Sequence, residues 1–130
     1  MVSLAFLAVS FVSLGGVGAC VSSAAYTSKV QQANPASTGQ MLTVNGHGVN
    51  VLTAGTSGPP VLMIHGASAN AREFNWTLAP RLDDGYRVLM ADRPGHGYSE
   101  RFDGAERLDA QAAQMAGVLD QMAPGEKAVI

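Results

Sequence analysis

The chain has 130 residues, of which 47% are hydrophobic and 14% charged, the balance of one ordinary domain with a packed core rather than a disordered chain. A net charge of −2, with no cluster of Lys or Arg, excludes the electrostatic footprint of a nucleic-acid binder.

From Met1 to Ser28 no side chain is charged, and Leu4 to Val12 is an apolar run broken only by Ser10. Gly15, Gly16, Gly18 and Ala19 follow, the layout of a secretory signal, although Met1-Val2-Ser3 lacks the usual basic residue. Residues 1–25 are assigned to this signal and 26–40 to a linker rich in Ser, Thr, Gln, Asn, Pro and Ala. Cys20 is the only cysteine. Its setting, Val17-Gly18-Ala19-Cys20, is similar to a bacterial lipobox, which implies a lipid-anchored mature N-terminus. Cleavage after Ala24 or Ala25, with Cys20 as a plain thiol, and an uncleaved anchor are the other readings. Each of them makes the protein exported, with a periplasmic or cell-envelope location and, in the lipobox reading, a membrane lipid anchor.

The folded part, 41–130, opens with Met41-Leu42-Thr43-Val44 and Val49-Asn50-Val51-Leu52 around Asn45-Gly46-His47-Gly48, which predicts a β-hairpin. Pro59 and Pro60 cannot donate to a ladder, so the next strand is expected at Val61. Val61 to Ile64 is apolar at every position, as in a strand covered on both faces. A helix is expected from Asn70, with Asn70 and Glu73 at capping-box spacing and Phe74, Leu78 and Leu82 on its buried side. Pro80 should split it. Trp76 and Phe74 are expected to pack against core or rim. Tyr86 to Ala91 is the next strand. Leu108, Ala112, Met115, Leu119 and Met122 then mark a helix over 108–122, and Ala128-Val129-Ile130 is the start of a further strand. Strands alternating with helices imply a parallel arrangement and an α/β fold.

Two loops carry the chemistry. His65-Gly66-Ala67-Ser68 follows the first buried strand, and Asp92-Arg93-Pro94-Gly95-His96-Gly97-Tyr98-Ser99 follows the second. Together, and in this order, they resemble the N-terminal half of the α/β-hydrolase family. The resemblance implies that the backbone N–H of Ala67 is one donor of an oxyanion hole, with His65, Gly66 and Ser68 forming its loop. It implies that Asp92, Gly95 and Gly97 are structural, Asp92 accepting backbone N–H groups. It further implies that the Gly-x-Ser-x-Gly elbow with the nucleophile would begin about three residues beyond Ile130, so that the triad residues are absent and the chain is inactive by itself.

A triad within the chain is not expected. Ser68 reads as a helix-start residue, while Asp92 and His96 share one turn and should bond to backbone. His47, His65, His96 and Cys20 show no metal-ligand spacing, and no cofactor is called for. The residues after the His-Gly pair are neither the Pro two positions on that is common in epoxide hydrolases nor the Asn of dehalogenases. The resemblance therefore leans toward a carboxylesterase or lactonase type, which implies a small-molecule acyl substrate. The alternatives are a surface-anchored, non-catalytic binding module on the same fold, or another enzyme of the fold: an epoxide hydrolase, dehalogenase, peroxidase or acyltransferase.

Overall fold

A computed structural model describes residues 39–130. The signal segment, Cys20 and nearly all of the linker lie outside the described residues. Within them, β1 (Gln40–Val44), β2 (His47–Ala54), β3 (Pro60–Ile64), α1 (Arg72–Thr77), β4 (Arg87–Ala91) and α2 (Leu108–Met122) follow in chain order, with a 3₁₀ turn at Ala79–Arg81. No helix among the described residues is long and apolar enough to cross a membrane.

The hairpin is tighter than expected. Its turn is Asn45-Gly46 alone, at φ 51° and 84°, and His47 and Gly48 already belong to β2. Two successive residues at positive φ give the turn whose twist matches that of the flanking strands, which is why Asn-Gly occupies it. The fold also begins one residue early, since Gln40 pairs with Val51.

The strand order is β1-β2-β4-β3. β2 meets β4 antiparallel, and β4 meets β3 in parallel, with Ile64 opposite Ala91. Beyond β3, Val61 bridges in parallel to Val129: Leu62 N–H donates to Val129 O at 2.8 Å, and Val129 N–H to Pro60 O at 3.0 Å. β3 therefore starts at Pro60 rather than Val61, because a proline can join a ladder through its carbonyl.

Period-two alternation divides the core between the two faces. Leu62, Leu89 and Ala91 pack with Leu42, Val44, Val49 and Val51 under Met115 and Val118 of α2. Met63, Val88 and Met90 pack on the other face with Leu52, Ala71 and Ala79, beneath Phe74 and Leu82. A parallel pair covered on both faces is thus the frame from which the two loops emerge.

The helices depart from the sequence reading in their faces rather than their places. α2 has the expected bounds, but its buried side is turned by about one residue. Gln114, Met115 and Val118 are buried, Leu119 and Met122 are partly so, and Ala112 and Leu108 face out, Leu108 being 82% exposed. Gly117 sets that rotation: a Cβ there would stand 2.3 Å from Val44 Cγ1, so the backbone of α2 rests directly on β1.

α1 starts at Arg72, two residues after the expected cap, and no capping box forms. Asn70 Oδ1 accepts the Arg72 N–H at 3.0 Å, whereas Ala71 N–H is taken by Asp92 of the other loop. Pro80 falls in the 3₁₀ turn and splits the helical segment as its missing N–H requires. Leu78 is exposed and Trp76 is 81% exposed, so neither is core.

Candidate active site

Because β3 and β4 run parallel and in register, the residues that follow them leave the sheet side by side. His65 comes directly after Ile64, and Asp92 directly after Ala91. Both are buried, at 2% exposure each.

His65 joins the two loops. Its Nε2 accepts the backbone N–H of Arg93 at 3.0 Å, which leaves Nδ1 to donate to Gly66 O at 2.8 Å. These partners select the neutral imidazole with its proton on Nδ1. Burial pushes the His65 pKa below the ordinary histidine value; the charges of Arg93 and His96 push the same way, against the Gly66 bond and Asp92. A neutral, doubly bonded ring is a fixed strut and not a base awaiting a proton.

Arg93 closes the clamp from its own side. Its Nη2 donates to Gly66 O at 3.0 Å and its Nη1 to Gln111 Oε1 of α2 at 3.2 Å. The carbonyl of Gly66 is thereby fixed from two directions, which orients the following peptide. Ala67 and Gly66 are exposed, and no hydrogen bond within the described residues engages the Ala67 N–H. A preorganised, free backbone donor at the end of a buried strand is the element an oxyanion hole requires. Ser68 sits at φ 62°, a left-handed conformation uncommon for a residue with a side chain. It lies in the turn before α1 and not at the helix start.

Asp92 fastens the second loop. Its Oδ1 accepts Ala71 N–H at 2.7 Å, and its Oδ2 accepts Asn50 Nδ2 at 2.8 Å and Tyr98 N–H at 3.0 Å. One carboxylate thus holds strand β2, the start of α1 and its own turn. Gly97 follows from this: at φ 52°, a Cβ would lie 2.1 Å from Asp92 Oδ2. Gly95, at φ 74°, lets its N–H return to Glu100 O at 3.0 Å.

The serines and histidines do not form a triad among the described residues. Ser99 Oγ is buried, donating to Asp92 O at 2.7 Å and accepting Asn50 N–H at 2.9 Å. His96 Nδ1 is turned to Pro94 O at 3.1 Å, its ring 5.2 Å from that of His65. His47 stacks on Phe102 at 4.0 Å and reaches Glu100 Oε1 at 3.4 Å. No group of His, Cys, Asp and Glu suited to a metal occurs among the described residues.

Asn50 and the head group of Arg93 hold the two loops, and sequence reasoning did not single them out. Asn50 carried a signal, a lone polar residue inside the apolar stretch Val49 to Leu52. Arg93 carried none beyond its place in the loop.

The family model for the alpha/beta hydrolase fold matches residues 59–130, the stretch that contains both loops. The chain belongs to this family. Epoxide hydrolase A of Mycobacterium tuberculosis is 33% identical over 97 residues, 72% of this chain and 30% of the relative. An esterase of the same organism is 32% identical over 83 residues, 63% of this chain and 27% of the relative. Among solved structures, an esterase from Exiguobacterium antarcticum superposes with a TM-score of 0.57 at 30% identity, covering 64% of this chain and 31% of that one. This α/β-hydrolase chain thus spans about 30% of the length of the curated relatives it matches. The mixed sheet with its crossover helices is the corresponding part of that fold.

Proposed function

We propose that these residues supply the oxyanion half of an exported serine hydrolase acting on a small acyl compound, an ester or a lactone. The observation that carries the reading is the Ala67 N–H, free and held in place by the clamp of His65 and Arg93 on Gly66. Attack on an acyl carbon places negative charge on the carbonyl oxygen, and a donor already aimed at that oxygen stabilises the transition state more than the substrate. Removing one such donor from a hydrolase costs on the order of 10²–10³ in turnover.

The nucleophile, the base and its carboxylate partner come from outside these 130 residues. The sequence contains no Gly-x-Ser-x-Gly, and every described histidine bonds to backbone or to Glu100. The 130-residue chain is therefore inactive by itself. With p-nitrophenyl acetate, the expected rate equals that of a heat-denatured control, and a clear excess over it refutes the assignment. Reading the coding frame past Ile130 tests the other half: a Gly-x-Ser-x-Gly elbow supports acyl hydrolysis, and an inert elbow supports a binding module instead.

Epoxide hydrolysis is the second reading, favoured by the 33% identity to an epoxide hydrolase. It requires Asp at the elbow in place of Ser. Export and lipid attachment at Cys20 remain part of the proposal on the strength of the uncharged, apolar N-terminal segment. Metabolic labelling with palmitate, lost in Cys20→Ser, tests the anchor.

A further inference from the structure

A cavity of about 280 Å³ opens beside the oxyanion loop, between that loop, the turn after β4 and the N-terminal part of α2. Ala67, Pro94 and Ala105 give it apolar walls, and the cationic side chains of Arg93 and Arg101 line it. Neither cation has a carboxylate partner among the described residues. Arg93 is held by two neutral oxygens, Gly66 O and Gln111 Oε1, and its Nε–H is buried without an acceptor. The stem of Arg101 lies along Gly95, whose absent Cβ would stand 3.4 Å from Arg101 Cγ, and among the described residues its head group makes no ion pair or hydrogen bond. Glu106 also lines the cavity but pairs with neither arginine. A half-buried cation held only by neutral partners leaves much of its desolvation uncompensated, and an anion from outside is what compensates it.

We propose that this cavity is a subsite for a small aliphatic carboxylate, its head group between Arg93 and Arg101 and its alkyl part against Ala67, Pro94 and Ala105. A planar carboxylate fits the fork of a guanidinium in a bidentate pair. The volume lies just below the range of about 300–1,000 Å³ typical of drug-sized ligands, which sets the occupant at a short chain. The neutral state of His65, held partly by the charge of Arg93, agrees with a positive field at this end of the sheet. The proposal rests on the acyl-hydrolase reading only in making the occupant part of a substrate; binding itself does not depend on it.

Equilibrium dialysis of labelled hexanoate against the 130-residue chain tests the subsite, with hexanamide as the uncharged isostere and inorganic phosphate as the competing anion. Hexanoate is expected to bind saturably and hexanamide about tenfold more weakly, since hydrogen bonds to charged groups are worth more than neutral ones. Arg101→Gln should weaken hexanoate binding about tenfold, while Glu106→Gln, which removes the opposing charge, should tighten it. Both positions are exposed, and circular dichroism confirms that the variants fold. Equal binding of hexanamide, unchanged binding by Arg101→Gln, or displacement by phosphate at equal concentration each overturns the proposal. Because dialysis involves no turnover, absent binding removes the subsite and leaves acyl hydrolysis standing. An elbow without a nucleophile does the reverse.

Discussion

Asp92 and Gly97 form a lock whose two parts cannot be changed independently. The carboxylate is buried and fully engaged, so Asp92→Asn replaces one acceptor oxygen with an NH₂ that must face existing donors. A loss of about 2–4 kcal/mol is expected in urea denaturation, from the broken bonds and the donors left unsatisfied. Gly97→Ala adds a methyl into the carboxylate at a φ that disfavours it, and should lower the melting temperature by about 10 °C or more. An unchanged melting temperature would show that the turn opens without cost. His65 gives a dependence on pH. Its folded pKa is depressed, so the unfolded chain takes up a proton near pH 6.5 while the folded one still resists it. The unfolded state then binds more protons, and stability is complete above about pH 6.5 and falls as the pH drops below it. Melting curves at pH 7.5 and pH 5.0 should show a larger drop for the native chain than for His65→Gln.

At the scale of elements, close backbone approach decides the geometry. Gly117 lets α2 rest on Val44, so Gly117→Ala should destabilise the domain by about 1–3 kcal/mol through overpacking, although alanine is the better helix former. A gain in stability would mean that α2 shifts freely on the sheet. The same position explains what was legible in the sequence. The bounds of α2 followed from the spacing of Leu108, Met115, Leu119 and Met122, but its facing depended on a contact 73 residues away in the chain, which no local pattern reports. The start of α1 has a like origin: Asn70 accepts the Arg72 N–H as a local cap would, but the Ala71 N–H before it is taken by Asp92, from another loop. The second loop was legible because it demands special backbone angles at fixed positions, Gly95 and Gly97, whereas in the first the left-handed residue is Ser68 and Gly66 has an ordinary φ. The clamp of Arg93 on Gly66 was not legible, since it joins two loops by a long side chain that a linear reading leaves free.

At the scale of the described residues together, apolar surface lies open along the outer side of the sheet. Ile64, Val129 and Ile130 are exposed, and among the described residues β3 meets only the short segment at Val129 on that side. An apolar strand with open backbone groups is a template for pairing with another chain. Sedimentation velocity should therefore show association that grows with concentration and weakens in Ile130→Lys. A monomer unaffected by concentration would show that the side chains already shield the edge.

The strand order has a bearing on how the chain matures during synthesis. β4 lies between β2 and β3, although it is made after both. Until Ala91 has left the ribosome, the nascent chain holds a hairpin and a separate apolar strand with nothing to join them. The sheet then closes by insertion of its last-made central member, and Asp92, the next residue to emerge, ties β2 and the start of α1 to it. β1, β2 and β3 thus wait for β4 and Asp92 to join them.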